Sequence, residues 1–132
     1  MKGDTNMATT IVERSQRLDK ILAGVAAMRG VTAAAIIDSD GLVTHVRRDF
    51  EINTDALGAA VQIAFGSARR ASEHVSQGQT NMVLVENKEG LVMLAPLQKG
   101  FILALVGDSS AMLGAVRFEV KQTVPELNLL FA

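Results

Sequence analysis

The chain has no cysteine, no tryptophan and no tyrosine, and its aromatic content is five Phe. Without cysteine there are no disulfides, no thiolate metal sites and no cysteine nucleophile, which suits a reducing compartment. With so few aromatics, a base-stacking platform or a sugar-binding face is not expected. Charge of either sign is also missing in excess: 13 basic residues face 14 acidic ones, for a net charge of -1. No basic surplus exists to hold a phosphate backbone, so nucleic acid is not an expected partner. No apolar run reaches the ~18 residues of a membrane span. The opening MKGDTNMATT is polar and has no apolar core of a signal peptide. A cytoplasmic protein is expected.

What is present is a globular composition. Hydrophobic residues make up 48% and charged residues 20% of 132 positions. That length argues for one domain, able to bury roughly 68% of its unfolded surface. Residues 1–9 read as a flexible N-terminus, with Met7 as an alternative start to Met1. From Thr10 the pattern is helical: Ile11, Leu18, Ile21, Leu22, Val25 and Met28 recur at spacings of three, four and seven,. Thr9 or Thr10 would cap this helix and Gly30 would end it. Gly24 within it reads as a point of close packing.

Val31–Ile37 is apolar on both faces, as a central strand would be. Leu42–Arg47 alternates like a strand with one wet face. Between them lies Asp38-Ser39-Asp40-Gly41. Two nearby carboxylates invite a metal reading, but no further ligands arrive at the right spacing. Asp-Gly supplies the positive φ angles of a tight hairpin, so the residues are read as a turn.

Asn53 or Thr54 would cap a second helix running to about Gln77. Its apolar residues fall on two stripes. One is Leu57, Val61, Ala64, Ala68, Ala71 and Val75; the other is Ala56, Ala59, Ala60, Ile63 and Ser67. A helix that covers one sheet needs one stripe. The second stripe needs a second partner, most economically another copy of the chain. The alternative is a helix sandwiched within its own domain, although a two-layer domain of this length has little to cover both sides. Three strand signals follow with short gaps, Met82–Glu86, Leu91–Ala95 and Phe101–Val106, as in an antiparallel meander. Ser109-Ser110 would cap a last helix with the stripe Met112, Leu113, Val116, Val120 and Val124, stopped by Pro125. The end, residues 125–132, is an apolar tail expected to dock on this chain, its twin or a partner. The fold class is therefore α+β: an antiparallel five-stranded sheet with helices, in the order helix, two strands, helix, three strands, helix.

Candidates for chemistry are sparse. His45 and His74 lie outside any metal spacing and read as surface histidines. There is no G-x-S-x-G elbow, Walker A sequence or G-x-G-x-x-G. No catalytic residue, metal site or cofactor is assigned, and the chain is not expected to be an enzyme. Arg47-Arg48 and Arg69-Arg70 read as solvated ends of elements. With Glu73, Arg69 and Arg70 are placed to tune the specificity of a partner contact.

The run ILAGVAAMRGVTAAAIIDSDGLVTHV resembles the Roadblock family of dynein light chains and their bacterial relatives. Its carriers are Gly30, Val31, Ala34 or Ala35, Asp38, Asp40, Gly41, Leu42 and Val43, joined by the alanine-rich middle helix and by Met112–Arg117. The likeness spans about residues 11–124, so residues 10–124 are expected to be one roadblock-like domain. It implies a profilin-like fold and a homodimer with middle helices side by side and third strands paired. That pairing adds Met82 and Leu84 to the dimer residues Ala56, Ala59, Ala60, Ile63 and Ser67. Prokaryotic members accompany a small Ras-like GTPase, as regulators, GTPase-activating partners of the MglB type, or scaffolds. They need not supply an arginine finger; they can bias switch regions instead. A small-ligand sensor or weakly active enzyme with a pocket under the sheet, and a motor-associated light chain or other dimeric scaffold, remain as alternatives.

Overall fold

The computed structural model describes residues 2–131, with side chains described from Thr10 onward. Met1, and with it the choice of start, lies outside the described residues, as does Ala132. The elements are α1 (Lys2–Ala26), β1 (Val31–Ile37), β2 (Val43–Arg48), α2 (Thr54–His74), β3 (Val83–Asn87), β4 (Gly90–Pro96), β5 (Ile102–Asp108) and α3 (Leu113–Leu130). The strands form one antiparallel sheet in the order β2-β1-β5-β4-β3. This is the expected order of elements.

Two apolar clusters sit on opposite faces of the sheet. Leu18, Leu22 and Val25 of α1 and Val116, Val120 and Leu127 of α3 pack on Ile36, Met93, Leu103 and Leu105. Val61 and Phe65 of α2 pack on Ile37, Leu94, Ile102 and Ala104. Central strands read apolar throughout because helices cover both their faces. Helix α2 lies mainly over β2, β1 and β5.

The β1–β2 connection is a turn. The Asp38 N–H donates to the Leu42 carbonyl at 2.8 Å, and the Gly41 N–H donates to the Asp38 carbonyl at 3.0 Å. Asp38 Oδ1 accepts from the backbone N–H groups of Asp40 and Leu42, both at 2.9 Å. Gly41 has φ +87, where a side chain would be strained. Gly58 then lets α2 rest on this turn, since a Cβ there would overlap the Gly41 carbonyl oxygen.

Several local expectations are corrected. α1 starts at Lys2, so Thr9 and Thr10 lie inside the helix rather than capping it, and it ends at Ala26, before Gly30. Gly24 is exposed, and an added Cβ would meet nothing within 4 Å, so it is not a packing point within this chain. In β2 the register shifts at Thr44, with Ile36 opposite His45 and Ile37 opposite Val43. This bulge puts Val43 and Val46 on the α2 side together, which strict alternation forbids,. His45 turns to α1 and is half-buried, with Nε2 3.1 Å from Ser15 Oγ and Nδ1 3.0 Å from Thr44 Oγ1. Ser109-Ser110 does not cap α3; the cap position is Met112. Instead the Ser110 N–H and hydroxyl donate to Asp108 Oδ1 at 2.8 and 2.6 Å, and chiefly the hydroxyl holds the Asp108 carboxyl below the ordinary range.

The largest correction concerns the C-terminal tail. Pro125 lies inside α3, which continues to Leu130. A mid-helix proline costs about 3 kcal/mol. Against that, Leu127 and Phe131 are buried on this chain's own core, each contributing about 1.5–3 kcal/mol. The Phe131 ring lies 4.6 Å from that of Phe101, and the Gln98 N–H donates to Asn128 Oδ1 at 2.9 Å. Packing therefore overrides the stop signal. Leu129 points out and is 78% exposed.

Candidate functional site

The N-cap Asn53 fixes where α2 begins, its Oδ1 accepting from the Ala56 N–H at 3.1 Å. Gln62 then ties the helix to the sheet, donating through Nε2 to the carbonyls of Asp38 at 2.8 Å and Gly100 at 3.0 Å. With the helix so placed, its buried residues are Gly58, Val61 and Phe65. Neither stripe is buried along its length: of Leu57, Val61, Ala64, Ala68, Ala71 and Val75, the residues Ala64, Ala71 and Val75 are exposed. Phe65 takes the inward place instead, because burying a large aromatic gains more than burying alanine.

The opposite stripe has no cover within the chain. Ala56, Ala59, Ala60, Ile63 and Ser67 are all exposed, Ile63 by 68%. The sandwiched alternative therefore does not hold within one chain. The sheet is open at its β3 end too. α2 leaves much of the β4–β3 half uncovered, and Val83, Val85 and Val92 stand on that same face, Val85 40% exposed. β3 is the last strand of the sheet, so one row of its N–H and C=O groups has no strand beside it,. An apolar helix face, an open apolar sheet face and an unpaired edge are thus left uncovered by the described residues. Surfaces of that make-up mark protein contacts.

Met82 and Leu84, at the start of the β3 edge, face the other side of the sheet. Met82 packs against the cluster on the α1/α3 side. Leu84 stands opposite Met93 in the ladder, hence on the same side, and is 38% exposed. The structure brings Val83, Val85 and Val92 to the α2 face. The run Met82-Val83-Leu84-Val85 is apolar at every position, so no alternation in the sequence distinguished the two faces.

Arg69, Arg70 and Glu73 are exposed at the C-terminal end of α2. Arg69 Nε lies 4.0 Å from Glu73 Oε1. Arg70 Nη2 makes a long contact of 3.4 Å to Ser67 Oγ. Arg69 also lines a cavity of about 230 Å3 with Gln62, Gln79 and Thr80. Thr80 Oγ1 is buried there without a hydrogen-bond partner. A groove of about 340 Å3 between α3, the α2–β3 connection and the end of β4 is lined by Met82, Pro96, Val120, Val124 and Pro125. Among the described residues no cluster of three His, Cys, Asp or Glu forms, and no helix is long and apolar enough to cross a membrane.

Among known protein families, the model of the Roadblock/LC7 domain matches residues 17–107. An uncharacterised protein of Methanocaldococcus jannaschii, MJ0310, is 23% identical over 114 residues, covering 86% of this chain and 99% of that one. Myxococcus xanthus MglB superposes with a TM-score of 0.81 at 14% identity, over 87% of this chain and 94% of MglB. Profilin IB of Acanthamoeba castellanii superposes with a TM-score of 0.62 at 20% identity, over 86% and 95%. At such identities the superpositions speak for the fold.

Proposed function

We propose, from the premise that this chain belongs to the Roadblock/LC7 domain family, that it is a homodimeric regulator or scaffold of a small Ras-like GTPase, acting through protein contacts. The observation that carries this reading is the uncovered apolar face of α2, together with the unpaired edge of β3 at the other end of the sheet. A second copy of the chain would cover such surfaces, since a two-fold axis sets the same patch of both copies together. Covering what is exposed of Ile63 and Val85 gains about 1–2 and about 0.5–1 kcal/mol respectively,. The MglB-like fold supports the choice of a GTPase as partner, in line with what the family resemblance implies. Arg69, Arg70 and Glu73, exposed at the C-terminal end of α2, are the residues assigned to the partner contact.

The test has two parts. Light scattering is expected to give twice the 14.0 kDa chain mass. Affinity capture from the source's own cytosol, in GTP-analogue and GDP conditions side by side, is expected to recover a small GTPase, mainly in the GTP-like state. Recovery in neither state counts against the GTPase reading while leaving a dimeric scaffold. A second reading, a small-ligand sensor, is favoured by the polar cavity at Gln62, Arg69 and Thr80 with its unpartnered hydroxyl. It is separated from the first by a small molecule that co-purifies and raises the melting temperature.

A further inference from the structure

The outer face of α2 is nearly symmetric about Ile63. Ala56 and Arg70 stand seven residues to either side, Ala59 and Ser67 four, and Ala60 and Gly66 three. Gly66 leaves room on that face: an added Cβ would meet only Arg70 Nη1, at 3.8 Å. A two-fold axis at Ile63 runs the two helices antiparallel and sets each residue against its mirror position on the twin. The small residues then let the backbones approach. Arg70, however, comes with the seam. Among the described side chains the ion pair within 4.0 Å is Arg69 with Glu73, so Arg70 enters the seam without a carboxylate of its own. A charge withdrawn from water needs a partner.

The twin supplies one. Asp55 lies eight residues before Ile63, in the first turn of α2, and is exposed. Its mirror position is Ala71, one residue past Arg70, or about 1.5 Å along the axis. At about 100° per residue, Asp55 falls about 80° and Arg70 about 20° to the same side of the Ile63 line. A two-fold that reverses the helices keeps each flank facing its own copy, so the two side chains meet. Within one chain they are about 22 Å apart along the helix and cannot touch. We propose that Asp55 of each copy pairs with Arg70 of the other, and that these two symmetric ion pairs select the register and identity of the twin. This rests on the homodimer reading above.

The experiment uses the full chain as Asp55→Arg and as Arg70→Asp, each alone and then mixed one to one after dissociation. Alone, each variant sets like charges together at both ends, and its dimer is expected to weaken at least about tenfold at low salt. In the mixture, the arginine introduced in the first variant meets the aspartate introduced in the second. At the other end the native Asp55 of one chain meets the native Arg70 of the other. Both ends are then matched. Native mass spectrometry is expected to find more than about nine-tenths of dimers mixed, against the one-half of random pairing. Added salt should move that fraction back toward one-half. A wild-type dimer with random mixing and undiminished single variants overturns the ion pair alone. A wild-type chain that stays at 14.0 kDa overturns the dimer and the pair together.

Discussion

β2 and β3 close opposite ends of the same sheet, yet they meet solvent differently. β2 carries a bulge at Thr44, ends in Arg47 and Arg48, and is backed by α1 through the His45–Ser15 contact. Bulges and charges are the usual means of stopping a strand from recruiting another. β3 pairs with β4 in unbroken register, and its first three residues are Val83, Leu84 and Val85, with no charge before Glu86. α2 leans over the β2 end and leaves the β3 end bare. One edge is finished within the chain and the other is shaped for a continuation. An apolar edge without protection is a liability in a lone chain and would be an asset in one that pairs with a second copy.

The contrast can be broken most forcefully at the uncovered surfaces, the β3 edge and the outer face of α2. Val85→Lys or Ile63→Glu, and Ala60→Glu beside it, are expected to weaken self-association at least about a hundredfold, because each sets a charge in an apolar contact. Light scattering would show a shift toward 14.0 kDa, while Thr44→Lys on β2 leaves the mass of the assembly unchanged. Unaltered mass in all three of the first variants would remove the distinction between the edges. Next in size is Gly58→Val, which forces side-chain atoms into the Gly41 carbonyl. Chemical denaturation is expected to show a loss of about 1–3 kcal/mol, with α2 lifted from the β1–β2 turn. Asp38→Ala removes the acceptor of two backbone N–H groups and is expected to cost about 1–2 kcal/mol. Added calcium should leave the wild-type melting temperature where it is, as a turn requires and a metal site does not. The smallest effect lies on α1, behind β2. Gly24→Ala fills open space on a helix and should stabilise by about 0.5–1 kcal/mol. A destabilisation there would mean that α1 has a partner too.

The finished half was the more legible in the sequence. The hairpin was readable because Asp40-Gly41 has a local requirement that no distant contact can change. The two-sided nature of α2 was readable because its composition leaves no polar face over the first turns. Where distant contacts decide, the reading failed. Pro125 is a genuine local stop signal, overruled by where Leu127 and Phe131 come to rest. The bulge at Thr44 depends on how β2 meets β1 and α1, which no spacing in β2 encodes. At the bare edge, Val83 and Val85 could not be told from Met82 and Leu84 because all four are apolar and facing depends on register. The cavity at Thr80 brings together residues from α2, the α2–β3 connection and the β4–β5 turn, a convergence without any motif.

The pairing of β1 with β5 carries a consequence for synthesis. Ile37 lies opposite Ile102, and Val31 opposite Gly107, so the centre of the sheet joins the earliest strand to the latest. Leu127 and Phe131 then seal one face of it. During translation the β1–β2 hairpin emerges with its inner edge unpaired and waits for most of the remaining chain. Folding can finish only when Leu127 and Phe131 have cleared the ribosome. A nascent chain stalled before β5 would expose two apolar faces and two strand edges, making it a natural client for chaperones that bind early and let go late.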